Sequence, residues 1–387
     1  MLFRPDGHAG DLVVLVHREA PAFWPAASAL GETRGHIFQT REFIAAWQAS
    51  FGRQHRFSPL FIEARDGEGT PLLLLALVIE RRGGVRTLSF LDQGHADYNA
   101  PLLLPAGQAR LADFTLDFWR ALLAALPPFD VARFDKMPEQ LGDLVNPMFL
   151  IATGADAASC HGTQLGKSWP EVERTLQRPG KLKSKLKALG QLGPTRFLIA
   201  DEAAERARLL ERLIVQKQRR YEETHVPGFR ENPQSLAFLR QATETFAASG
   251  NLLFCALLVG EEIVAVQWGL VQGPCYYALV TSFESGDYER FSCGRVLSYL
   301  LLRHLHEQGF LYCDQGVGDE LYKLQNCDTT VPLARSVFAR TARGHLYLAQ
   351  RHFVAQLRAS AVGERLRRLK WMLRRRVFAA LGRRAEP

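Results

Sequence analysis

Residues 276–323 read YYALVTSFESGDYERFSCGRVLSYLLLRHLHEQGFLYCDQGVGDELYK, and this stretch decides the fold. An apolar strand is predicted from Tyr276 to Ser282, followed by a polar loop ending in Ser292-Cys293-Gly294. Val296, Leu297, Leu300 and Leu301 then recur at helical spacing, which predicts a helix from Gly294 to Gln308. A second strand is predicted from Leu311 to Asp314. Gly316 and Gly318 follow it in a turn, and Glu320, Tyr322 and Lys323 fall on a short helix. A strand, a tight loop and a helix N-terminus together present free backbone N–H groups to an anion. Ser292 is placed to cap that helix, and Gly294 admits a close approach to the backbone. An ordinary capped helix carries the same residues, so both readings stand at this point.

Working outward, the preceding segment predicts a hairpin, Leu252 to Val259 and Ile263 to Val271, turning at Gly260-Glu261-Glu262. Helices are predicted before it, from Glu202 to Glu223 and from Pro233 to Ala248. The first half shows the same order. Thr40 is the expected N-cap of a helix carrying Phe43, Ile44 and Trp47. A hairpin follows, Leu60 to Ala64 and Pro71 to Glu80, split by Asp66-Gly67-Glu68-Gly69. Then come a strand from Thr87 to Leu91, a helix from Ala109 to Leu126 and a strand from Val131 to Phe134. Each half therefore reads helix, hairpin, strand, helix, strand, without similar residues at matching places.

Composition fits a globular chain. Of 387 residues, 47% are hydrophobic and 23% charged. The six cysteines form no CxxC pair, which argues against a zinc ribbon and for a reduced, cytoplasmic protein. No signal peptide is read at the N-terminus, and no apolar run reaches the roughly 18 residues of a spanning helix. Charge is unevenly spread. From Arg351 to Pro387 there are eleven Lys or Arg and two acids, whereas the other 350 residues hold 37 basic and 38 acidic side chains. That pattern excludes a uniformly basic nucleic-acid-binding body. A second basic stretch is Arg178 to Lys187, RPGKLKSKLK. In the tail, Leu366, Leu369, Leu373, Val377 and Leu381 keep helical spacing. Such a helix docks on the body, lies on an anionic membrane surface at the inner face, or binds RNA.

The second half resembles a GNAT acyltransferase domain of the CelD-like and FemAB-like branch. The likeness is carried by Phe283, Tyr288, Ser292 and Gly294, then Gly309, Asp314, Gly316, Gly318, Glu320, Tyr322 and Lys323. In the first half it is carried by Phe38-Gln39-Thr40, Trp47 and Asp97-Tyr98-Asn99. The resemblance spans roughly residues 38–340. It implies an α/β (α+β) fold of tandem GNAT-like domains, each a mixed twisted sheet flanked by helices. The expected divisions are residues 1–150, residues 151–345 and a basic helical tail, 346–387. It also implies an N-acyltransferase moving an acyl group from acetyl-CoA or another acyl-CoA to an amine. The acceptor would be a small molecule or a glycan- or lipid-linked amine, as in envelope polysaccharide or cellulose synthesis. No metal is expected. In the family loop Q/R-x-x-G-x-G/A only Gly294 matches, since Glu289 and Ser292 stand at the other two places. FemAB-like relatives use aminoacyl-tRNA, so a tRNA-borne donor stays open. So does a non-catalytic accessory role in polysaccharide assembly.

On this likeness, the donor's pyrophosphate would rest on Ser292, Cys293, Gly294 and Arg295, with Arg290 beside it. Tyr322 occupies the place of the acid that reprotonates a leaving thiolate. Asp314 or Glu320 would take the ammonium proton, and Lys323 would stabilise the oxyanion. Gln267 interrupts an apolar strand, facing either a pocket or the wet side of a sheet. Asp97 and Tyr98 lie in a polar loop that contacts substrate or is satisfied internally. His304 and His306, two residues apart on one helix, do not form a metal pair.

Overall fold

The computed structural model describes residues 12–359. The chain begins with β1 (Val13–His17), α1 (Arg41–Ser50), β2 (Phe57–Arg65), β3 (Pro71–Arg82) and β4 (Val85–Phe90). Next come β5 (Leu102–Leu103), α2 (Pro105–Ala109), α3 (Leu116–Ala124) and β6 (Val131–Pro138). A small hairpin, β7 (Gln140–Leu141) and β8 (Leu144–Val145), precedes β9 (Gly154–Ala155) and β10 (Cys160–Gln164). The middle of the chain holds α4 (Trp169–Thr175), α5 (Pro179–Leu189), β11 (Thr195–Ile199), α6 (Ala203–Thr224) and α7 (Pro233–Ala248). Then follow β12 (Leu252–Val259), β13 (Glu262–Gln272), β14 (Cys275–Phe283), α8 (Cys293–Glu307) and β15 (Tyr312–Val317). The described chain closes with α9 (Leu321–Leu324), β16 (Thr329–Val331), β17 (Leu333–Ala339) and α10 (Ala342–Ala359).

Two mixed sheets result. The first runs β1-β2-β3-β4-β6-β17-β9, with β5 beside β3, and the second β11-β12-β13-β14-β15-β10-β16. In each, a run of antiparallel hairpins leads into one parallel pair: β4 with β6, and β14 with β15. This is the tandem GNAT-like architecture. The halves exchange a strand. β10 follows the first sheet in sequence yet pairs with β15, and β17 follows the second sheet yet pairs with β6. β9 and β17 both lie beyond residue 150 yet belong to the first sheet, so they cross the expected division, whereas β10 keeps to it.

The exchange is reinforced by a shared core. Phe43 of α1 packs edge-on against Phe238 of α7 at 5.1 Å, and one buried cluster joins Trp24, Phe38 and Trp47 to Phe246, Phe254 and Trp268. Gln272 stitches the halves with both amide atoms, accepting from the Ile37 N–H at 2.9 Å and donating to the Gly35 carbonyl at 2.9 Å.

Some local expectations are corrected. The helix predicted from Ala109 to Leu126 is broken. Thr115, whose hydroxyl accepts from the Phe118 N–H, caps a separate α3 starting at Leu116. Thr40 does not cap α1 with its side chain, because its hydroxyl donates backward to the Ile37 carbonyl. The basic stretch Arg178 to Lys187 lies largely in helix α5. Pro179 sits at its start, and Leu182 and Leu189 are buried. The tail expected to form a basic helix lies, from residue 360, outside the described residues.

Candidate functional site

β14 and β15 pair in parallel only over Cys275–Tyr312, Tyr276–Cys313 and Tyr277–Asp314. Beyond Tyr277, β14 continues to Phe283 and β15 to Val317 with no pairing between them, while β15 keeps its other neighbour, β10. β14 is also bulged. Trp268 faces Val280 and Gly269 faces Ala278, leaving Leu279 extra. A bulge re-aims the strand and adds local twist. The Glu284 N–H donates to the Val264 carbonyl on β13 at 2.9 Å. Strand alternation therefore turns the backbone groups of Phe283 and Thr281 away from β13, toward the unpaired edge.

That edge is lined by cations from α6. Lys217 Nζ donates to the Thr281 carbonyl at 3.3 Å and Arg219 Nη2 to the Phe283 carbonyl at 3.5 Å. Arg219 is neutralised by the buried Glu284, 2.7 Å away, which also takes Arg212 at 2.6 Å and the Gln216 amide at 2.7 Å. Lys217 has no carboxylate partner among the described residues. Burial, helped by the nearby Arg220 charge, lowers its pKa. Sequence reasoning passed over Lys217, since a lysine in QKQRRY reads as a solvated helix face.

At the apex, where pairing stops, Asp314 is 1% exposed. Tyr98 reaches across from the first half and donates its hydroxyl to Asp314 Oδ2 at 2.5 Å, and the Gly316 N–H donates to Oδ1 at 2.7 Å. Burial pushes the Asp314 carboxyl up to about 7, although both hydrogen bonds and the Lys323 charge work the other way. Burial also raises Asp97, against the charges of Lys136 and Lys323. Asp97 Oδ2 lies where a Cβ on Gly316 would come within 2.6 Å, and Gly316 has a φ of +79°, so glycine is required twice over. Tyr98 stacks on His36 at 4.7 Å and meets Tyr277 edge-on at 6.1 Å.

On α9, Lys323 turns inward and is 4% exposed. Its Nζ donates to the carbonyls of Gly316 at 3.2 Å and Val317 at 2.8 Å and sits 3.2 Å from Glu320. Tyr322 turns outward and is 50% exposed. Partial burial and the Glu320 charge push its phenol up to about 12. Asp97, Tyr98, Asp314, Glu320 and Lys323 are thus gathered around Gly316, with Tyr322 on the opposite face of the same short helix.

The start of α8 differs from expectation. Ser292 adopts the left-handed conformation, φ 53° and ψ 52°, and makes no side-chain cap. Its Oγ lies 2.6 Å from Lys185 Nζ on α5 instead. Phe283 lies over Gly294, where a Cβ would come within 2.7 Å of the ring. Arg295 donates to the Gln177 carbonyl at 3.2 Å, and Arg290 stacks on Phe291 at 4.7 Å. Cys293 is buried, and that burial pushes its thiol up to about 11, so it is a packed thiol rather than a thiolate. The preceding turn borders a cavity of about 770 Å3 lined by Leu192 and by Gly286 to Arg290.

Gln267 does not face an open pocket. It is buried, donates to the Trp268 carbonyl and accepts from the Thr281 hydroxyl, so its polarity is satisfied within the sheet. No group of three or more His, Cys, Asp or Glu side chains is arranged to hold a metal among the described residues.

Comparisons with known proteins bear on this geometry. Residues 177–324 match the family model described as an acetyltransferase (GNAT) domain. No curated protein matches the chain. Among solved structures, the chain is similar to FemX at 10% identity, over 82% of this chain and 94% of that one, with a TM-score of 0.55. A tandem GNAT protein from the clavulanic acid biosynthesis pathway aligns at 10% identity over 84% of this chain and 98% of its own, with a TM-score of 0.46. Residues 177–324 are therefore similar in sequence to a GNAT domain, and the described chain, with its two GNAT-like mixed sheets, shares its fold with FemX.

Proposed function

We propose that the protein transfers an acyl group from a thioester to an amine, at the unpaired edge between β14 and β15. One observation carries this reading. The parallel pair stops at Tyr277 and Asp314 while β14, bulged at Leu279, runs on and leads to the α8 N-terminus. An extended thioester arm fits such an edge by hydrogen-bonding to the N–H groups of Thr281 and Phe283, and to their carbonyls in exchange for the long contacts from Lys217 and Arg219. Its pyrophosphate would rest near Cys293 and Gly294, with Lys185 and Arg295 alongside.

In the transfer, the amine nitrogen forms the new C–N bond and the C–S bond breaks. Glu320, exposed beside Lys323, takes the proton released by nitrogen. Tyr322, protonated at neutral pH, gives its proton to the departing thiolate, and the two residues re-equilibrate through solvent. Asp314 is too buried to touch the acceptor. Through Tyr98 and Gly316 it is a positioning residue that fixes where β15 leaves β14. The acceptor class we favour is an amine linked to a glycan or lipid. The test is thermal unfolding with acetyl-CoA and longer acyl-CoAs. At about 100 times the dissociation constant, binding stabilises by about 2.7 kcal/mol and raises Tm by a few degrees. Unchanged Tm with every acyl-CoA at saturation overturns the donor.

A second reading is a donor carried on tRNA, as in FemAB-like proteins. It is favoured by the crowded start of α8, where Phe283 covers Gly294 and Lys185 occupies Ser292. α5 exposes Lys181 and Lys187 nearby. Steeply salt-dependent binding of charged tRNA, with no response to acyl-CoA, selects this reading.

A further inference from the structure

Helix α10 is docked by one face and bare on the other. Gly344 is buried, and a Cβ there would lie 2.0 Å from the Asp130 carbonyl oxygen. Tyr347 and Leu348 are half-buried, but every residue from 349 to 357 is exposed. At 3.6 residues per turn, Leu346 and Phe353 lie two turns apart on nearly one line, opposite Gly344 and Leu348. They are 71% and 61% exposed, and Val354 beside them is 36% exposed. The helix contains no acid. Arg343 falls about 60° from this apolar line, on its border, whereas Arg351 lies nearly opposite it.

At the root of the helix lies a cavity of about 450 Å3 lined by Arg81, Gly84, Val85, Arg86 and Arg343. Arg86 is neutralised by Asp130 at 3.1 Å. Arg343 donates to the Gly84 carbonyl at 2.8 Å. Neither Arg343 nor Arg81 has a carboxylate partner among the described residues. Two uncompensated guanidinium groups thus meet over one cavity, at the end of a helix whose apolar side chains face water.

Such a face calls for a partner. A second copy of the helix, or the chain's own residues 360–387, would bring more positive charge. From Arg351 onward the sequence holds eleven Lys or Arg against two acids. Like charges on facing helices repel, whereas an anionic surface is complementary. We propose that this face binds an anionic phospholipid bilayer, with a lipid phosphate in the Arg81–Arg86–Arg343 cavity and Leu346 and Phe353 in the interfacial layer. Bidentate guanidinium–phosphate pairing suits the cavity. An amphipathic helix with a basic border suits the interface. The arrangement holds the protein at a surface through one helix face and one cavity, and none of the described helices is long and apolar enough to cross a membrane.

The experiment is vesicle flotation with the full chain, using phosphatidylcholine alone or mixed with phosphatidylglycerol. Binding is expected only to the mixed vesicles and weakens as salt rises. R81E/R343E, which does not touch the proposed acyl-transfer residues, is expected to lower partitioning by at least about twentyfold. L346S/F353S is expected to lower it by about tenfold. Both variants should keep the parent's melting temperature. Equal binding to neutral vesicles, or none to anionic ones, overturns the proposal. So does binding of bulk tRNA in place of vesicles, or an L346S/F353S variant that changes oligomeric state while partitioning is unaltered.

Discussion

The two sheets share a design and differ at one place. In the first, β4 and β6 pair in parallel from Thr87–Val131 to Ser89–Arg133 and then stop, as β14 and β15 do at Tyr277–Asp314. Beyond that point the first opening is stitched shut. Lys136 Nζ bonds Asp92 at 3.0 Å and the Ala96 carbonyl at 2.6 Å. The Asn99 amide holds Asp92 and the Asp135 carbonyl, at 3.0 and 3.2 Å. Burial favours neutral Asp92, but the Lys136 charge and three hydrogen bonds outweigh it and hold the carboxyl low. The second opening has cations along one edge, a helix N-terminus at its end and a high-pKa carboxyl at its apex. A duplicated frame thus carries a structural plug in one copy and a candidate site in the other. The plug also serves the site, because Tyr98, next to the stitched loop, reaches Asp314.

The stability change of greatest size should come from the apex. Asp314 binds its proton more tightly folded, near pH 7, than unfolded, near 4. Its contribution is full below about pH 4 and is lost as pH rises through 7, a change of about 4 kcal/mol. D314N should flatten this dependence, read as denaturant midpoints between pH 5 and 8. A variant with the parent's slope would contradict the assignment. Next in size is the plug. K136M leaves Asp92 without its cation and should cost about 3 kcal/mol, measured by urea unfolding. A loss below about 1 kcal/mol would mean the first opening is not held by that pair.

Tyr98→Phe should cost about 2 kcal/mol by removing a hydrogen bond to a buried carboxylate. It should also move the apparent Asp314 titration upward, since the Tyr98 hydroxyl lowers it. An NMR titration that does not move separates packing from positioning. A smaller change is expected at the start of α8. Ser292→Gly removes a left-handed non-glycine residue and should stabilise by up to about 1 kcal/mol, less whatever the Lys185 contact supplies. It also gives the loop a second glycine of the family pattern, so acyl-CoA affinity should hold or rise. A fall would place the Ser292 hydroxyl among the donor contacts.

Much of the fold was legible because it is local. The apolar runs around Gly260-Glu261-Glu262 and Asp66-Gly67-Glu68-Gly69 give hairpins, and Pro233 opens a helix that ends at Ala248 as read. The strand exchange was not legible. β10, CHGTQ, has neither an apolar run nor clean alternation, and its partner β15 is some 150 residues away. The hydrogen bond from Tyr98 to Asp314 is equally non-local, spanning 216 residues. Helix α5 left a signal that went unused, namely Pro179 at its start with Leu182, Leu186 and Leu189 at helical spacing. At the candidate site, residue types marked Asp314 and Lys323. Their burial, and the inward turn of Lys323 against the outward turn of Tyr322, came only from packing.

The central claim is that the second opening, and not the first, takes the donor. Amide hydrogen exchange with and without saturating acetyl-CoA tests it most directly. New protection is expected in residues 278–283 and 292–296 and none in 87–91 or 131–136. No protection in the second half, or protection confined to the first, would contradict it.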